Sequence, residues 1–216
     1  MIKLVVFDWD GTLMDSAQQI INCMRLAAAD CALPVPEEAA IQHIIGLSLP
    51  VAMRRLFSEM NTEVHEAMMD AYAARYVTDA GGPARLFSGV STMLASLEMQ
   101  VPLALATGKS RRGLDRVLGQ LGWKQRFAAS RCADETASKP DPCMLLELLD
   151  EFDLHPSQAL MVGDTTYDLD MARAAGMSAV GVTWGAHAPD LLKVSLPEVL
   201  CTSVGELTAH LRHRVC

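Results

Sequence analysis

The stretch VVFDWDGTLMD, residues 5–15, decides the fold that the sequence predicts. Residues 2–7 are short, apolar and rich in β-branched side chains, which is typical of a buried strand. The strand pattern ends at two carboxylates, Asp8 and Asp10, which are one residue apart and are followed by Gly11. Carboxylates this close repel each other unless a cation lies between them. The stretch therefore predicts a buried strand with a functional site at its end.

The composition is that of a folded, acidic protein. The chain has 216 residues, half of them hydrophobic, a formal net charge of −8 and a mean hydropathy of +0.19. No apolar run approaches the roughly 18 residues that a membrane span needs, and the N-terminal run is too short and too acidic for a signal peptide. We therefore expect a cytoplasmic protein with no membrane partner. Because no basic stripe is present, we also expect no nucleic-acid partner.

Two kinds of pattern divide the chain. Residues 15–82 show helical periodicity without a strand signal, and they end in Gly81-Gly82-Pro83. After that point strand-like and helix-like segments alternate, which predicts a parallel sheet with helices on both faces. The predicted fold class is α/β: a doubly wound parallel sheet with a Rossmann-like core, residues 1–14 and 83–216, and an inserted α-helical cap, residues 15–82.

Local signals predict where several elements begin and end. Asp15 or Ser16 is expected to cap the first helix of the insertion. Asp141 and Pro142 are expected to begin a helix of the core. Two glycines are expected to end the helices before them, and further buried strands are predicted after the first. These glycines are Gly122 and Gly176, and the strands are at residues 101–106, 159–162, 178–182 and 199–201.

Polar side chains follow three of the predicted strands, and a lysine precedes a helix start. In a doubly wound sheet, ligands bind beyond the carboxyl ends of the strands. We therefore expect these side chains to meet in one crevice. The set is Asp8, Asp10, Thr107, Gly108, Lys139, Asp164 and Asp168.

The carboxylates of this set fit phosphoryl transfer. Several carboxylates in one pocket require a hard dication, and Mg²⁺ is the expected cofactor. Asp8, Asp164 and a backbone oxygen of Asp10 are its expected ligands. Asp8 could then attack phosphorus to give an aspartyl-phosphate. Asp10 could protonate the leaving oxygen and later take a proton from water.

The remaining members of the set would hold the phosphate. Thr107, Gly108 and Lys139 are expected to bind its oxygens, and Lys139 also counts as a catalytic residue. Asp168, one helical turn after Asp164, could orient Lys139 or a metal-bound water. In the cap, Arg54 is the residue expected to contact substrate, because a phosphate ester needs some positive surface opposite it.

A nucleotide-binding P-loop is the rival interpretation of one of these segments. Thr107-Gly108-Lys109-Ser110 resembles the end of that motif. A P-loop needs a glycine five residues before Gly108, and Leu103 occupies that position. We therefore reject the P-loop.

The motifs together resemble a known family. Asp8-x-Asp10-Gly11-Thr12, Thr107-Gly108, Lys139 and Gly163-Asp164-x-x-x-Asp168 resemble, in order and spacing, the four motifs of the haloacid dehalogenase-like hydrolase superfamily. The resemblance covers essentially the whole chain. The helical insertion resembles the small cap of the phosphoglycolate phosphatase-like branch. The resemblance implies that Asp8 is the nucleophile, that Asp10 is the acid and base, and that the cap closes over the substrate.

Several activities of that superfamily fit this chain less well. Dehalogenases do not use the second aspartate, and phosphonate-cleaving relatives use a cap lysine, which residues 15–80 lack. Sugar phosphomutases carry an arginine where this chain has Leu49, although Arg54 could substitute. We therefore expect a phosphatase for a small phosphorylated metabolite such as phosphoglycolate, acting as a monomer or homodimer. A sugar phosphomutase and a non-catalytic phospho-acceptor or binding protein of similar fold remain as alternatives.

Overall fold

The computed structural model describes residues 1–78 and 84–215, and its centre is a six-stranded parallel sheet. The strand order is β5-β4-β1-β6-β7-β8, and β2 pairs with β3 in a separate antiparallel ribbon. The predicted doubly wound fold is therefore confirmed. The strands are β1 (Leu4–Phe7), β2 (Met14–Asp15), β3 (Arg85–Leu86), β4 (Leu103–Thr107), β5 (Ala129–Cys132), β6 (Ala159–Gly163), β7 (Ser178–Val182) and β8 (Val199–Cys201).

Helices cover both faces of the sheet. The side chains of a strand alternate between these faces, so apolar side chains of one strand can be buried on both of them. In β1, Val5 and Phe7 join one buried apolar cluster, whereas Leu4 and Val6 join another. This explains why β1 is apolar throughout rather than alternating. The helices of this part, the core, are α5 (Val90–Leu97), α6 (Arg111–Leu121), α7 (Cys143–Glu151), α8 (Thr166–Ala174), α9 (Pro189–Val194) and α10 (Val204–Val215).

Four helices between β2 and β3 form a second body with its own apolar cluster, and we call it the cap. They are α1 (Ala17–Asp30), α2 (Glu38–Ile44), α3 (Leu49–Leu56) and α4 (Thr62–Val77). The cluster includes Met24, Ile41, Met53 and Met68, each with at most 1% of its surface exposed. Because β2 pairs with β3, the chain enters and leaves the cap side by side. The predicted exit at Gly81-Gly82-Pro83 lies outside the described residues.

Several predicted ends are confirmed, and two helix starts differ. Gly122 and Gly176 follow α6 and α8 with φ of 69° and 72°, the left-handed conformation that glycine adopts without strain. Ser16 precedes α1 but does not cap it, because its hydroxyl donates to Asp10 instead. α7 begins at Cys143 rather than at Pro142, and Asp141 Oδ1 accepts from the Cys143 N–H at 2.9 Å.

Candidate active site

The carboxyl edge of the sheet brings the first and last motifs together. β1 pairs in parallel with β6, with Phe7 opposite Val162. Asp8 follows the last residue of β1 and Asp164 follows the last residue of β6, so both carboxylates emerge at the same edge. Asp8 is 1% exposed and Asp164 is fully buried. Parallel pairing therefore explains how residues more than 150 positions apart reach one site.

Lys139 lies between two of these carboxylates. Its ammonium is 2.5 Å from Asp8 Oδ1 and 2.6 Å from Asp168 Oδ1, and all three side chains are buried. Burial lowers the pKa of Lys139, but the charges of Asp168 and Asp8 outweigh it, so the pKa lies above its usual value. The lysine is therefore a permanent cation. We call Asp8, Lys139, Asp164 and Asp168 the core centre.

Asp168 is fixed by the start of its own helix. Its Oδ2 accepts from the Thr165 N–H at 3.1 Å and from the Thr165 hydroxyl at 2.7 Å, which forms a capping box at α8. Its Oδ1 is left for Lys139. Asp168 thus holds the lysine beside Asp8.

The core centre holds more negative charge than Lys139 can balance. Burial, outweighing the charge of Lys139, raises the pKa of Asp8 well above its usual value, and burial with the charge of Asp168 raises that of Asp164 to about 7. Asp8 Oδ2 is buried without a hydrogen-bond partner among the described residues. Carboxylate oxygens of Asp8, Asp164 and Asp168 lie within 4.8 Å of one another. This oxygen set fits a hard divalent cation.

The Asp164 carboxylate is enclosed by backbone and small side chains. Its Oδ1 accepts from the Thr12 hydroxyl and its Oδ2 from the Ala186 N–H, both at 2.7 Å. A Cβ at Gly11 or Gly185 would overlap the carboxylate. Glycine is therefore required at both positions for the backbone to approach this closely.

Asp10 belongs to a second group of side chains, where the cap meets the core. Its Oδ1 accepts from the Ser16 hydroxyl at 2.6 Å, and its Oδ2 is 3.0 Å from the Lys109 ammonium. Lys109 also donates to the hydroxyl of Tyr76, on α4 of the cap, at 2.9 Å. We call Asp10, Lys109 and Tyr76 the seam cluster. It connects the second aspartate to the cap through one lysine.

The cap turn lies directly over the end of β4. Thr107 is fully buried there, and its hydroxyl accepts from the Lys109 N–H at 3.2 Å. A Cβ at Gly108 would lie 2.5 Å from the carbonyl oxygen of Gly46 and 2.6 Å from that of Leu47. Because side chains do not tolerate such distances, only glycine at 108 permits this contact between cap and core.

Comparison with known proteins agrees with this geometry. Residues 5–182 match the family model described as haloacid dehalogenase-like hydrolase. The chain belongs to the haloacid dehalogenase-like hydrolase family. The resemblance inferred from the four motifs, and with it the phosphoglycolate phosphatase-like branch, is thereby confirmed.

Relatives of this hydrolase are known by name. It is 35% identical, over 96% of its own length and 92% of the other, to the probable phosphatase IndB of Dickeya dadantii. It is 32% identical, over 87% of its own length and 86% of the other, to the phosphoglycolate phosphatase of Xanthomonas campestris. A crystal structure described as "a predicted phosphoglycolate phosphatase from haemophilus somnus 129pt" has a TM-score of 0.88 at 24% identity, covering 97% and 98% of the two chains. The last comparison bears on the fold alone.

The structure places Asp8, Lys139, Asp164 and Asp168 in the core centre, and Asp10, Thr107 and Gly108 at the same edge of the sheet where the cap meets the core. Arg54 is exposed on α3, and its neighbour Arg55 contacts the core by donating to the Tyr167 hydroxyl at 2.8 Å. Tyr167 in turn donates to the His43 carbonyl at 2.8 Å. The substrate contact expected of Arg54 stays a prediction, whereas its neighbour Arg55 contacts a core tyrosine.

Sequence reasoning missed Lys109 as a site residue. Its position two residues after Thr107, at the end of a predicted strand, was a usable signal. Its partner Tyr76 carried no such signal, because helical periodicity does not show which cap residue faces a core loop.

Within residues 1–78 and 84–215, no helix is long and apolar enough to cross a membrane.

Proposed function

We propose that this hydrolase is a Mg²⁺-dependent phosphatase that cleaves small, phosphoglycolate-like phosphate monoesters through an aspartyl-phosphate on Asp8. The observation that carries the proposal is the state of Asp8: it is buried, one oxygen contacts Lys139, and the other has no partner in the part of the chain that the structure describes. The phosphatase and phosphoglycolate phosphatase relatives support the reaction class and the substrate class. Mg²⁺ bound at Asp8, Asp164 and the Asp10 backbone would neutralise the carboxylates and the phosphate.

In the first half of the proposed reaction, an oxygen of Asp8 attacks phosphorus. The bond between phosphorus and the ester oxygen breaks, and the leaving oxygen takes a proton from Asp10. Lys139 provides positive charge beside the attacking carboxylate, and the hydroxyl of Thr107 with the N–H of Gly108 would donate to phosphate oxygens. The alcohol then departs, and the phosphoryl group stays on Asp8.

In the second half, water replaces Asp8 on phosphorus. Asp10, now a carboxylate, takes a proton from this water as its oxygen attacks. The bond between Asp8 and phosphorus breaks, which releases inorganic phosphate and restores both aspartates. The resident acid and base distinguish this site from a phospho-acceptor that keeps its phosphoryl group.

The cap fits a small substrate. In this structure its turn contacts Gly108 directly, and the Ser48 N–H donates to the Ser138 hydroxyl at 2.9 Å. Such contacts leave little room for a large leaving group. A small phosphorylated metabolite is therefore the proposed partner. Leu49 in place of an arginine, together with the exposed position of Arg54, favours a phosphatase over a mutase.

A phosphate-release screen tests the proposal. Purified protein is incubated with a panel of small phosphate esters, with Mg²⁺ or with EDTA. We expect release of inorganic phosphate from small esters with Mg²⁺ and none with EDTA. Conversion of a sugar phosphate to its isomer without phosphate release would indicate the mutase. A stable phosphoprotein without turnover would indicate the phospho-acceptor.

A further inference from the structure

The loop between β7 and α9 contacts the core centre and the cap at the same time. We call its residues 184–187 the bridging loop. The Ala186 N–H donates to Asp164 Oδ2 at 2.7 Å. The carbonyl of the same alanine accepts from the side-chain amide of Gln42, on α2 of the cap, at 2.8 Å. One residue of the core therefore joins a carboxylate of the core centre to the cap.

Two further contacts attach the bridging loop to the cap. His187 Nδ1 accepts from the Thr166 N–H at 3.1 Å, so Nε2 carries the proton of the neutral ring and donates to the His43 carbonyl of α2 at 3.2 Å. The two imidazole rings are stacked, with their centres 5.1 Å apart. The Ala186 side chain is buried in an apolar cluster that includes Ile45 of the cap. The position of the bridging loop therefore depends on the position of the cap.

The other side of the bridging loop is packed against Asp164. A Cβ at Gly185 would overlap the carboxylate, so the backbone of the loop lies directly on it. The Trp184 indole N–H donates to the Thr12 carbonyl at 3.2 Å, and the Thr12 hydroxyl donates to Asp164 Oδ1 at 2.7 Å. Both oxygens of Asp164 thus accept hydrogen bonds from groups in contact with this loop. Loss of a group that orients a metal ligand typically lowers metal affinity or activity by about 10- to 100-fold.

We infer that the bridging loop couples the cap to the metal site: a docked cap holds the Ala186 N–H against Asp164, and Mg²⁺ then binds more tightly. Gln42 is in this sense a positioning residue, because it acts on a metal ligand that it does not touch. Coupling between two equilibria is reciprocal, so Mg²⁺ favours the docked cap by the same factor. The inference rests on the proposed function, which places Mg²⁺ at Asp164, and adds a role for the cap in binding the metal.

The affinity for Mg²⁺ in the absence of substrate tests the inference. Gln42→Met removes the amide that donates to Ala186 and keeps a side chain of similar length. We expect isothermal titration calorimetry to give a Kd for Mg²⁺ about 2- to 10-fold above that of the wild-type protein. This range corresponds to the net contribution of one hydrogen bond between uncharged groups.

A matched control removes another amide from the cap. Gln18 is exposed on α1, and its amide donates to Asn22 of the same helix at 3.0 Å. Gln18→Met therefore makes the same chemical change without a contact to the bridging loop. This variant should bind Mg²⁺ with the Kd of the wild-type protein.

Amide hydrogen exchange in the wild-type protein is a second measurement, and it needs no variant. The Ser48 N–H of the cap donates to the Ser138 hydroxyl of the core at 2.9 Å, so this bond protects it only while the cap is docked. The Val64 N–H donates to Asn61 Oδ1 within the cap at 3.0 Å and is the control. We expect Mg²⁺ to slow exchange at Ser48 at least about twofold, by reciprocity, and to leave exchange at Val64 unchanged.

The outcomes separate the inference from the proposed function. Lack of Mg²⁺-dependent phosphate release from every ester of the panel contradicts the proposed function and this inference with it. Release combined with an equal Kd for Mg²⁺ in Gln42→Met and the wild-type protein contradicts the inference alone, as does exchange at Ser48 that Mg²⁺ does not change. Equal weakening in Gln42→Met and Gln18→Met also contradicts it, because the contact with Ala186 is then not the cause.

Discussion

The core centre and the seam cluster each pair a lysine with an aspartate, yet they are built differently. The core centre uses residues of the core alone, and Lys139 is fully buried between Asp8 and Asp168. The seam cluster needs Tyr76 of the cap to complete the contacts of Lys109, and it retains some exposure. The proposed nucleophile is thus held without the cap. In the proposed mechanism, proton transfer would depend on Asp10, whose partner Lys109 also contacts the cap.

Asp8→Asn should have the largest effect, because it removes the proposed nucleophile from the core centre. We expect Mg²⁺-dependent phosphate release to fall to the level of the buffer. The fold should be retained, because asparagine has nearly the shape of aspartate and Asp168 still pairs with Lys139 in the variant. Phosphate release and thermal unfolding in EDTA measure the two effects. Appreciable turnover by the variant would remove Asp8 from the nucleophile role.

Asp10→Asn should have the next largest effect, and it tests the seam cluster. The amide cannot donate or accept the transferred proton, so we expect kcat to fall by about 10²-fold or more, the usual scale of general acid–base catalysis. Mg²⁺ affinity should be retained, because Asp10 is expected to bind the ion through its backbone oxygen. Steady-state kinetics and Mg²⁺ titration by calorimetry report each. An unchanged rate would show that the seam cluster plays no part in the chemistry.

Gly108→Ala should move the cap away from the core without removing a charged group. The new Cβ would lie 2.5 Å from the Gly46 carbonyl of the cap turn, so the cap must shift away from the core. A displacement of this size at a reacting site is expected to lower kcat/KM by about tenfold or more. Gly119→Ala is the control, because glycine at 119 lies on α6 with the Lys124 side chain as its nearest neighbour. Equal activity of both variants would show that close cap contact is unnecessary.

The sequence predicted the core centre well because parallel strands deliver their ends to one edge. Once residues 2–7 and 159–162 were identified as strands, Asp8 and Asp164 had to emerge together. β5 (Ala129–Cys132) escaped prediction because it is a short edge strand with two polar residues at its centre and three half-buried positions, so it gives no apolar run. The link between Lys109 and Tyr76 depends on how the cap sits on the core. Periodicity along one helix does not contain that information.

Metal binding should stabilise the core centre in a pH-dependent way. The pKa of Asp164 is about 7 in the folded protein and its ordinary value is 3.8. Folding therefore favours the protonated form of Asp164. The contribution of this carboxyl group to the free energy of unfolding is fully present below pH 3.8 and is lost as the pH rises through about 7. A divalent cation reverses this loss by binding the ionised carboxylate.

The expected result is a larger rise in Tm on adding Mg²⁺ at about pH 7.5 than at about pH 5, where protons compete for the ligands. An excess of about 100-fold over Kd stabilises by about 2.7 kcal/mol, or several degrees for a chain of this size. Differential scanning calorimetry at the two pH values measures the rise in Tm on adding Mg²⁺. Asp164→Asn is the control variant and should lose most of that rise. An equal rise at both pH values would contradict binding at these carboxylates.

Two adjacent arginines of the cap provide the smallest and most selective test of the contact between cap and core. Arg55 donates to Tyr167 and lies 5.2 Å from the centre of its ring, whereas Arg54 is exposed without such a contact among the described residues. The Arg55 contact is partly solvated, so, for a cap that closes over the substrate as the family resemblance implies, Arg55→Met should favour the open form only slightly. Because apparent affinity falls with the fraction of closed protein, KM should rise about threefold with little change in kcat. Arg54→Met removes the same charge from the next position and should leave both constants within about 1.5-fold. If both variants raised KM equally, the cause would be long-range attraction of the anionic substrate rather than the contact with Tyr167. Cap closure would then depend on the polar contacts nearer to Gly108 and Lys109.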